Sequence, residues 1–370
     1  MSTVLLSRCD TYDVEGIESL LRASLRQLDD MPALCAGAKV LIKPNLLMRR
    51  TPDRHTTTHP AVVEALARIL VERGCSVTIA DSPGGPFTEG LLRGLYAATG
   101  MEEVAARTGA LLNYSTEGVQ VEVPNPYQSH VITVMRCAAE ADCILSVGKI
   151  KTHGLTAYTG AVKNLFGLVP GMLKVDYHAR FPDINVFSAG VLDIVNWAKP
   201  CLSVLDGIWG MEGKGPSGGE PRRIGALVVS DDPHAADLVG AALIGLSPSE
   251  VPTLRIAQEK GLLDVPLVLG ENVDDLAVPD FRKAPSEALT KGILVNPTFA
   301  RLVRSRPYVH RKTCVGCGIC ARSCPAKAIV LRNGAPHFDY ARCIRCYCCQ
   351  ELCPQTAVDV WQPFFMKFLR

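Results

Sequence analysis

The sequence lacks several features that would assign the chain to a broad class of protein. No run approaches the roughly 18 uninterrupted apolar residues of a membrane span. The N-terminus, MSTVLLSRCD, has no basic region followed by an apolar stretch, as a secretory signal has. The formal net charge is only +2, without the basic excess that general nucleic-acid binding needs. We therefore expect a cytoplasmic protein with no transmembrane segment and no nucleic-acid partner.

Phosphate-binding loops of the common kinds are also missing. Gly213-x-Gly215-x-x-Gly218 has the glycine spacing of a dinucleotide-binding turn, but Pro216 lies within it and a strand is predicted to follow it instead of a helix. Gly213-Lys214 is followed by Gly215 and lacks the upstream glycine of a Walker loop. We interpret 213–218 as a flexible loop and a candidate lid.

Acidic residues are absent from 143 to 175. This stretch contains KIKTHGLTAYTGAVKNLFG, whose cations Lys149, Lys151, His153 and Lys163 have no carboxylate nearby in the sequence. An anionic ligand could face them, or distant carboxylates could, the candidates being Asp81, Asp206, Glu212 and Asp231. Alternatively the lysines are solvated surface residues, but they directly follow a predicted buried strand, which favours a functional cleft.

The fifteen cysteines are distributed unevenly. Nine lie between Cys314 and Cys353, and the other six are scattered without ligand spacing. Disulfides are rare in cytosolic proteins, and free cysteine is among the most buried residue types. We therefore predict that the six are inert core thiols: Cys9, Cys35, Cys75, Cys137, Cys143 and Cys201.

An internal repeat is the strongest signal in the sequence. The run Cys314-x2-Cys317-x2-Cys320-x3-Cys324-Pro recurs 29 positions later as Cys343-x2-Cys346-x2-Cys349-x3-Cys353-Pro. Three closely spaced thiolates can hold one face of a [4Fe–4S] cube, and a fourth closes the opposite corner. Paired CxxC motifs also hold Zn²⁺, but two phased CxxCxxCxxxCP runs favour iron–sulfur clusters.

This segment resembles the bacterial two-cluster ferredoxins, in which the fourth cysteine of each run ligates the other cluster. The resemblance implies two [4Fe–4S] clusters, one held by Cys314, Cys317, Cys320 and Cys353 and the other by Cys343, Cys346, Cys349 and Cys324. Cys348 lies inside the second run, where the first run has Ile319. We interpret Cys348 as a non-ligand, while a register in which it replaces Cys349 stays open.

The C-terminal region is basic. Residues 308–370 contain nine Lys and Arg against three acidic residues, Asp339, Glu351 and Asp359. Positive charge near a cluster favours its reduced form, and a simpler interpretation is that these cations offset the negative charge of the clusters. The apolar tail is expected to dock on its own protein, the alternative being a short membrane-surface anchor.

Strand-like and helix-like segments alternate upstream of Tyr308. HPAVVEALARILVERG predicts a helix with Thr58 or His59 as its cap, Pro60 at its first position and Gly74 past its end. Continuous apolar runs, typical of strands covered on both faces, occur at 3–7, 39–43, 76–80, 144–148, 202–206, 225–230 and 265–270. The alternation predicts an α/β fold with a mostly parallel, doubly wound sheet.

The domain boundaries follow from these patterns. We expect an α/β domain at 1–270 and a connecting segment at 271–307, where Pro279, Pro285 and Pro297 intervene. A small α+β two-cluster ferredoxin-like domain would occupy 308–362, and the apolar tail 363–370.

Open α/β sheets bind ligands beyond the carboxyl ends of their strands. Five predicted strands end in polar or ionisable residues, which would converge on one rim as a cleft. These ends are Lys43-Pro44-Asn45, Asp81-Ser82, Lys149 to His153, Asp206-Gly207 and Ser230 to Asp232. A lysine partly removed from water there would have its pKa lowered toward a useful acid–base range.

Several stretches together resemble one family. KVLIKPNLL, THPAVVEALARILVERG, TIADSPGG, KIKTHGLTAYTGAVKNLFG and SVLDGIWGMEGKGP resemble the domain of unknown function 362, whose members often carry a C-terminal two-cluster ferredoxin segment. The resemblance covers essentially the whole chain and assigns no reaction. It implies functional positions at Lys149, Lys151, Thr152, His153, Lys163, Asn164, Asp206, Glu212 and Gly213.

Our leading hypothesis is an oxidoreductase that takes electrons from a soluble donor and passes them to an anionic substrate or cofactor, with a flavin possible. The candidate catalytic residues are Lys149, Lys151, His153, Lys163 and Asp206, with His153 as the proton donor because an ordinary histidine titrates near pH 6.5. The substrate-binding candidates are Lys43, Asn45, Asp81, Ser82, Thr152, Asn164, Glu212 and Gly213.

Two alternatives stay open. One is a non-redox, anion-binding enzyme whose clusters are structural, so that cluster loss would damage stability and spare activity. The other is an electron-transfer or assembly partner whose α/β part is only a docking surface.

Overall fold

The computed structural model describes residues 1–29, 31–284 and 305–361. The predicted tail 363–370 and most of the predicted connecting segment lie outside these ranges. The strands are β1 Thr3–Arg8, β2 Lys39–Pro44, β3 Ser76–Ile79, β4 Leu111–Leu112, β5 Gly118–Glu122, β6 Val131–Met135, β7 Cys143–His153, β8 Ala157–Thr159, β9 Leu202–Glu212, β10 Glu220–Ser230, β11 Leu267–Gly270, β12 Arg306–Val309, β13 Ile329–Arg332, β14 Ala335–Phe338 and β15 Val358–Trp361.

The α-helices in the same ranges are α1 Val14–Gln27, α2 Pro60–Glu72, α3 Glu89–Thr99, α4 Met101–Thr108, α5 Arg136–Ala139, α6 Ala161–Leu165, α7 Leu173–Arg180, α8 Ile184–Ala198, α9 Pro233–Leu243, α10 Pro252–Glu259, α11 Val273–Leu276, α12 Ile319–Arg322 and α13 Cys348–Glu351. The predicted helix of 60–72 begins after His59, whose side chain accepts a hydrogen bond from the Ala61 amide, and Pro60 is its first residue. None of the described helices is long and apolar enough to cross a membrane.

All seven predicted strands join one nine-stranded sheet. Its order is β11-β1-β10-β9-β7-β2-β3-β4, and β8 pairs with β7 outside this path. Neighbours from β9 to β4 run parallel, as does the β1–β11 pair. The mostly parallel α/β fold is therefore confirmed.

Strand β10 runs antiparallel to both of its neighbours, β1 and β9. Ser230, at its carboxyl end, pairs with Ser203, near the beginning of β9. The next residue, Asp231, accepts a hydrogen bond from the Thr3 amide. The expectation that Ser230 to Asp232 share the rim with the other strand ends is therefore wrong, because a reversed strand ends at the opposite edge.

Helices cover both faces of the sheet. On one face, Val40 and Ile42 of β2 pack in a cluster with Ile17 of α1 and Val62 of α2. On the other, Leu41 of the same strand packs in a cluster with residues of α6 and α8. Successive side chains of a strand point to opposite faces, so burial on both sides accounts for the continuous apolar runs.

The prediction of six inert core thiols is partly wrong. The structure joins Cys143, at the beginning of β7, to Cys201, just before β9, in a disulfide with a Cα–Cα distance of 6.2 Å. Cys35 is exposed, whereas Cys9 and Cys75 are buried as predicted. Sequence spacing gave no sign of the disulfide, because β7 and β9 become neighbours only in the folded sheet.

The ferredoxin-like segment repeats its backbone as well as its cysteines. Strands β12 and β15 pair antiparallel, and β13 and β14 form a hairpin. Left-handed backbone occurs at Gly316, Gly318 and Lys327 and again 29 positions later at Arg345, Tyr347 and Thr356. Helices α12 and α13 occupy equivalent positions in the two copies.

Candidate functional site

Two cavities in the ferredoxin-like segment are each lined by four cysteines. One, of about 370 Å³, is lined by Cys314, Cys317, Cys320 and Cys353. The other, of about 320 Å³, is lined by Cys324, Cys343, Cys346 and Cys349. Each cavity thus combines three cysteines of one run with the last cysteine of the other. This is the crossed arrangement that the ferredoxin resemblance implies.

The chemistry of these cavities fits iron–sulfur clusters. The Cys324 sulfur accepts a hydrogen bond from the Ala328 amide at 3.2 Å, and the Cys353 sulfur accepts one from the Ala357 amide at 3.2 Å. Amide donors of this kind stabilise cluster-bound thiolates. In the described part of the chain, no group of three or more His, Cys, Asp or Glu converges on a single ion. Four cysteine thiolates are the ligand set that holds a [4Fe–4S] cluster, and each cavity presents four cysteines.

A third cavity lies between the α/β domain and the ferredoxin-like segment, and we call it the cleft. It encloses about 720 Å³, partly open to solvent. Its polar lining includes Lys43, Asn45, Asp81, Ser82, Lys151, His153, Thr159, Lys163, Asn164, Lys174, His178, Cys348 and Glu351. Eight of the thirteen predicted cleft residues are among them.

Lys43 is fixed by an ion pair at the cleft floor. Its Nζ lies 2.7 Å from Asp81 Oδ1, with both side chains buried. Nζ also donates to Asn164 Oδ1 at 3.0 Å, and Asn164 Nδ2 donates back to the Lys43 carbonyl. A Cβ at Gly167 would lie 2.5 Å from Asp81 Oδ1 and 2.6 Å from the lysine nitrogen, so only glycine fits there. Asp81 and Asn164 therefore hold Lys43 in place.

Lys151 and Lys174 have no carboxylate partner in the part of the chain that the structure describes. Lys151 Nζ donates to Asn45 Oδ1 at 2.7 Å and to the Thr56 carbonyl at 2.8 Å. Lys174 Nζ donates to Ser82 and to the Val169 carbonyl. Burial lowers the pKa of each to about 7, although Asp81 opposes the shift. Both amines can therefore gain or lose a proton near neutral pH.

Lys163 is the least constrained cation of the cleft. Among the described residues its ammonium makes no hydrogen bond or ion pair, and it lies 4.4 Å from the ring centroid of Phe166. Burial lowers its pKa, and Glu351 opposes that shift. The buried Thr159 hydroxyl, which also lines the cleft, has no hydrogen-bond partner within the described ranges. These two groups are available to a ligand.

His153 joins the α/β domain to the ferredoxin-like segment. Its Nδ1 accepts hydrogen bonds from the Leu155 and Thr156 amides, and its Nε2 lies 3.1 Å from Glu351 Oε1. The proton of the neutral ring must therefore be on Nε2, facing Glu351. Burial raises the pKa of Glu351, but His153, Lys163 and His178 outweigh it and lower that pKa to about 2. Both nitrogens of the predicted proton donor thus already have partners.

Lys149 and Asp206 lie outside the cleft lining. They are neighbours across β7 and β9, and Lys149 Nζ lies 2.9 Å from Asp206 Oδ2 with neither side chain exposed. The Tyr12 hydroxyl lies between them, accepting from Lys149 at 2.8 Å and donating to Asp206 at 3.0 Å. The charge of Lys149 helps to lower the pKa of Lys151.

Thr152, Glu212 and Gly213 also lie away from the cleft. Thr152 donates to the Gly213 carbonyl at 3.0 Å and anchors the 213–218 loop. Glu212 forms an ion pair with Arg282 at 2.7 Å. Glu212 and Gly213 line a separate polar cavity beside the ferredoxin-like segment. Of the loop predicted to be a candidate lid, Pro216 lines the cleft.

Sequence reasoning missed several cleft residues. Lys174 belongs to the acid-free stretch that drew attention to the other lysines, so a signal for it existed. His178 follows that stretch closely, and burial lowers its pKa to about 3. Glu351 and Cys348 had no such signal, because the docking of the C-terminal segment onto the rim is a tertiary event.

The fold, the cysteine pattern and the crossed cavities define an iron–sulfur protein of the α/β class. The family described as Domain of unknown function (DUF362) matches residues 40–242, and a 4Fe-4S dicluster domain matches residues 306–354. A thylakoid-associated protein of Synechocystis sp. is 32% identical over 269 residues, covering 71% of this chain and 80% of that protein. The chain belongs to the DUF362 family. Its ferredoxin-like domain supports a role in iron–sulfur electron transfer.

Two solved structures overlap the chain in part. The lactate racemase apoprotein from Thermoanaerobacterium thermosaccharolyticum is 15% identical, with a TM-score of 0.42, over 67% of this chain and 57% of its own. A Thermotoga maritima protein solved by structural genomics is 14% identical, with a TM-score of 0.33, over 55% and 52%. The chain thus spans little more than half of either one, and neither likeness bears on its chemistry.

Proposed function

We propose that this protein is an iron–sulfur oxidoreductase that delivers electrons to an anionic substrate or cofactor bound in the cleft. One observation carries the proposal: the cleft and a cysteine cavity share helix α13. Cys348 and Glu351 line the cleft, while Cys349 of the same helix lines the cavity with Cys343 and Cys346. When bound, the clusters supply single electrons from a soluble donor. The cleft is therefore adjacent to their source.

The charges of the cleft favour an anionic ligand. Lys43 is neutralised by Asp81, and Glu351 faces His153. Lys151, Lys163 and Lys174 have no carboxylate partner among the described residues. Uncompensated cations in a partly dry site are costly unless an anion joins them. A phosphate ester or a dicarboxylate would meet these three ammonium groups.

The lysines also support the supply of protons. An acceptor that is hydrogenated takes up two protons together with two electrons, and the clusters would supply those electrons one at a time. The pKa of Lys151 is about 7, so this lysine can donate a proton at neutral pH. Burial also lowers the pKa of Lys163, whose ammonium is free of hydrogen-bond partners in the described ranges. His153 is better suited to hold Glu351 than to act as the proton donor. Lys163 is thus our main candidate for contact with the reacting atoms.

The test uses the full chain, purified anaerobically and reduced photochemically. The reduced protein is mixed with the low-molecular-weight fraction of cells that express it, and cluster reoxidation is followed by absorbance. We expect reoxidation by the wild type and a loss of about 100-fold in the Lys163→Gln variant. Lys260→Gln, a change on the exposed end of α10, is the matched control.

Two results would contradict the proposal. If replacing Lys163 leaves reoxidation unchanged, the electrons do not reach a ligand in the cleft. This result would favour the alternative role as an electron-transfer partner. A second contradicting result is that no fraction reoxidises the clusters, while malonate or pyrophosphate binds the wild type and not Lys163→Gln. This result would favour the non-redox, anion-binding role. Binding of these two probes by calorimetry distinguishes the outcomes.

A further inference from the structure

The first half of the ferredoxin-like segment carries a strong excess of exposed positive charge. Residues 308–338 contain no Asp or Glu. All five of their Lys and Arg side chains are exposed, namely Arg311, Lys312, Arg322, Lys327 and Arg332. By contrast, the second half contains Glu351, which is turned into the cleft. The two cysteine sets therefore have different electrostatic surroundings.

Apolar side chains are exposed at the same place. Val315 is 66% exposed and Leu331 44% exposed, and both line the cavity of Cys314, Cys317, Cys320 and Cys353. Cys317 is itself exposed. This cysteine set thus lies at the surface beside exposed apolar side chains, and close approach is what electron transfer between proteins requires.

Charge and apolar surface adjoin one another. A Cβ at Gly318 would lie 3.0 Å from Arg322 Nη1 and 3.1 Å from Leu331 Cδ1, so these two side chains flank the same glycine. Arg311 and Lys312 lie three and two positions before Cys314 in the chain and are exposed. We call the surface formed by Arg311, Lys312, Val315, Arg322 and Leu331 the basic face. Apolar contacts bordered by cations match a partner with an acidic rim.

We propose that the basic face docks an acidic one-electron carrier protein of the ferredoxin or flavodoxin class. This deepens the proposed function by naming the class of the soluble donor. The donor loses one electron to the chain at each encounter, and no bond or proton is exchanged. Electrons thus arrive through the cysteine set beneath the basic face and leave through the set that adjoins the cleft. Cations that served only to offset cluster charge would not need an exposed apolar patch among them.

The test measures electron arrival alone. A reduced plant-type [2Fe–2S] ferredoxin, used as the probe, is mixed anaerobically with the oxidised full chain in a stopped-flow instrument. We expect the second-order rate constant to fall at least about tenfold in the double variant Lys312→Glu/Arg322→Glu, and to fall steeply with added salt in the wild type. The matched control is Arg26→Glu/Lys260→Glu, on exposed helix ends of the α/β domain, which should stay within about twofold.

The remaining outcomes are decisive. Photochemical reduction with a deazaflavin should be equally fast in all variants, which shows that the charge-reversed protein is folded and loaded with clusters. A ferredoxin rate that responds to neither charge reversal nor salt overturns the proposal. Selective loss of binding to phosphatidylglycerol vesicles, with an unchanged ferredoxin rate, assigns the face to a membrane and also overturns it. The assay contains no cleft ligand and measures only the transfer of electrons to the clusters. A negative result would therefore overturn the docking proposal without bearing on the reaction proposed for the cleft.

Discussion

His153 Nε2 lies 3.1 Å from Glu351 Oε1, and this contact joins the end of β7 to helix α13. It brings together a histidine of the acid-free stretch and the one acidic residue of the second cysteine run. Further contacts support the same docking. Arg50 donates to the Pro354 carbonyl at 2.9 Å, and a Cβ at Gly84 would meet Leu352 Cδ2 at 2.3 Å.

Removing the Glu351 carboxylate should loosen this junction. In Glu351→Ala, the buried Nε2–H of His153 loses its acceptor, which costs about 1–3 kcal/mol in the free energy of unfolding. Chemical denaturation of the cluster-loaded protein measures the change. Glu259→Ala, at an exposed position of α10, should change stability by less than about 0.5 kcal/mol. Equal stability of the two variants would show that the contact does not hold the junction together.

Anion binding should weaken as the pH rises above neutrality. Burial lowers the pKa of Lys151 and Lys174 to about 7, so both are charged below pH 7 and lose their protons above it. Pyrophosphate binding must then restore the protons, and the affinity should fall by about tenfold per pH unit for each lysine. Calorimetry between pH 6 and 9 in two buffers measures the affinity and the proton uptake. An affinity that is flat over this range would contradict the assignment.

The same two lysines should make the ligand-free protein more stable as the pH rises, whereas they make anion binding weaker. The unfolded chain keeps their ordinary pKa of 10.5 and so binds more protons than the folded chain between pH 7 and 10.5. Their contribution to the free energy of unfolding of the ligand-free protein therefore rises with pH across that window. Lys151→Met and Lys174→Met should each reduce this slope in urea titrations, whereas Lys260→Met should not.

Cys348 and Cys349 should differ sharply in their effect on iron content. Cys349 lines the second cysteine cavity, whereas Cys348 lines the cleft. We expect Cys348→Ala to keep about eight iron atoms per chain and Cys349→Ala to lose about half of them. Iron and sulfide analysis after anaerobic purification makes the comparison. The reverse pattern would establish the alternative register.

The Cys143–Cys201 disulfide closes a loop with a sequence separation of 58. Cross-links of this span stabilise a fold by roughly 4 kcal/mol in the chain-entropy account. Cys201→Ser should therefore lower the free energy of unfolding by up to about that amount, against a smaller change for Cys75→Ser, which removes a buried free thiol. Thiol labelling of the denatured, unreduced wild type should spare Cys143 and Cys201. Labelling of both would show that the bond does not form.

Local patterns predicted most of the fold. The seven apolar runs all became strands because burial on both faces demands continuous apolar sequence, and Pro60 marked the beginning of α2. The direction of β10 could not be predicted, because nothing within an apolar run distinguishes a parallel from an antiparallel strand. That one reversal moved Asp231 to the opposite edge of the sheet.

The site was predicted less completely, for reasons of geometry. Lys149, Lys151 and His153 occupy alternate positions of β7 and so share one face of the strand, whereas Thr152 lies on the other. Alternation could therefore exclude Thr152 from the cleft, but it could not show that Lys151 lines the cleft and Lys149 does not. Their separation depends on Asp206, a partner on a strand that is distant in the sequence. Glu351 was hidden for the same reason. The two cysteine runs are recognised from their spacing, but the exchange of the fourth cysteine between them was implied only by the ferredoxin resemblance.

The position of α13 has a consequence for how the protein matures. That short helix closes the cleft, yet its surroundings depend on thiolates that need iron in order to assemble, since ligation and folding are coupled in small metal-binding segments. We expect a newly made chain without iron to have an unfinished binding site and to be unable to engage its target. Insertion of the iron–sulfur clusters would then have to precede any activity of the α/β domain, so the domain could not act before its electron supply is assembled.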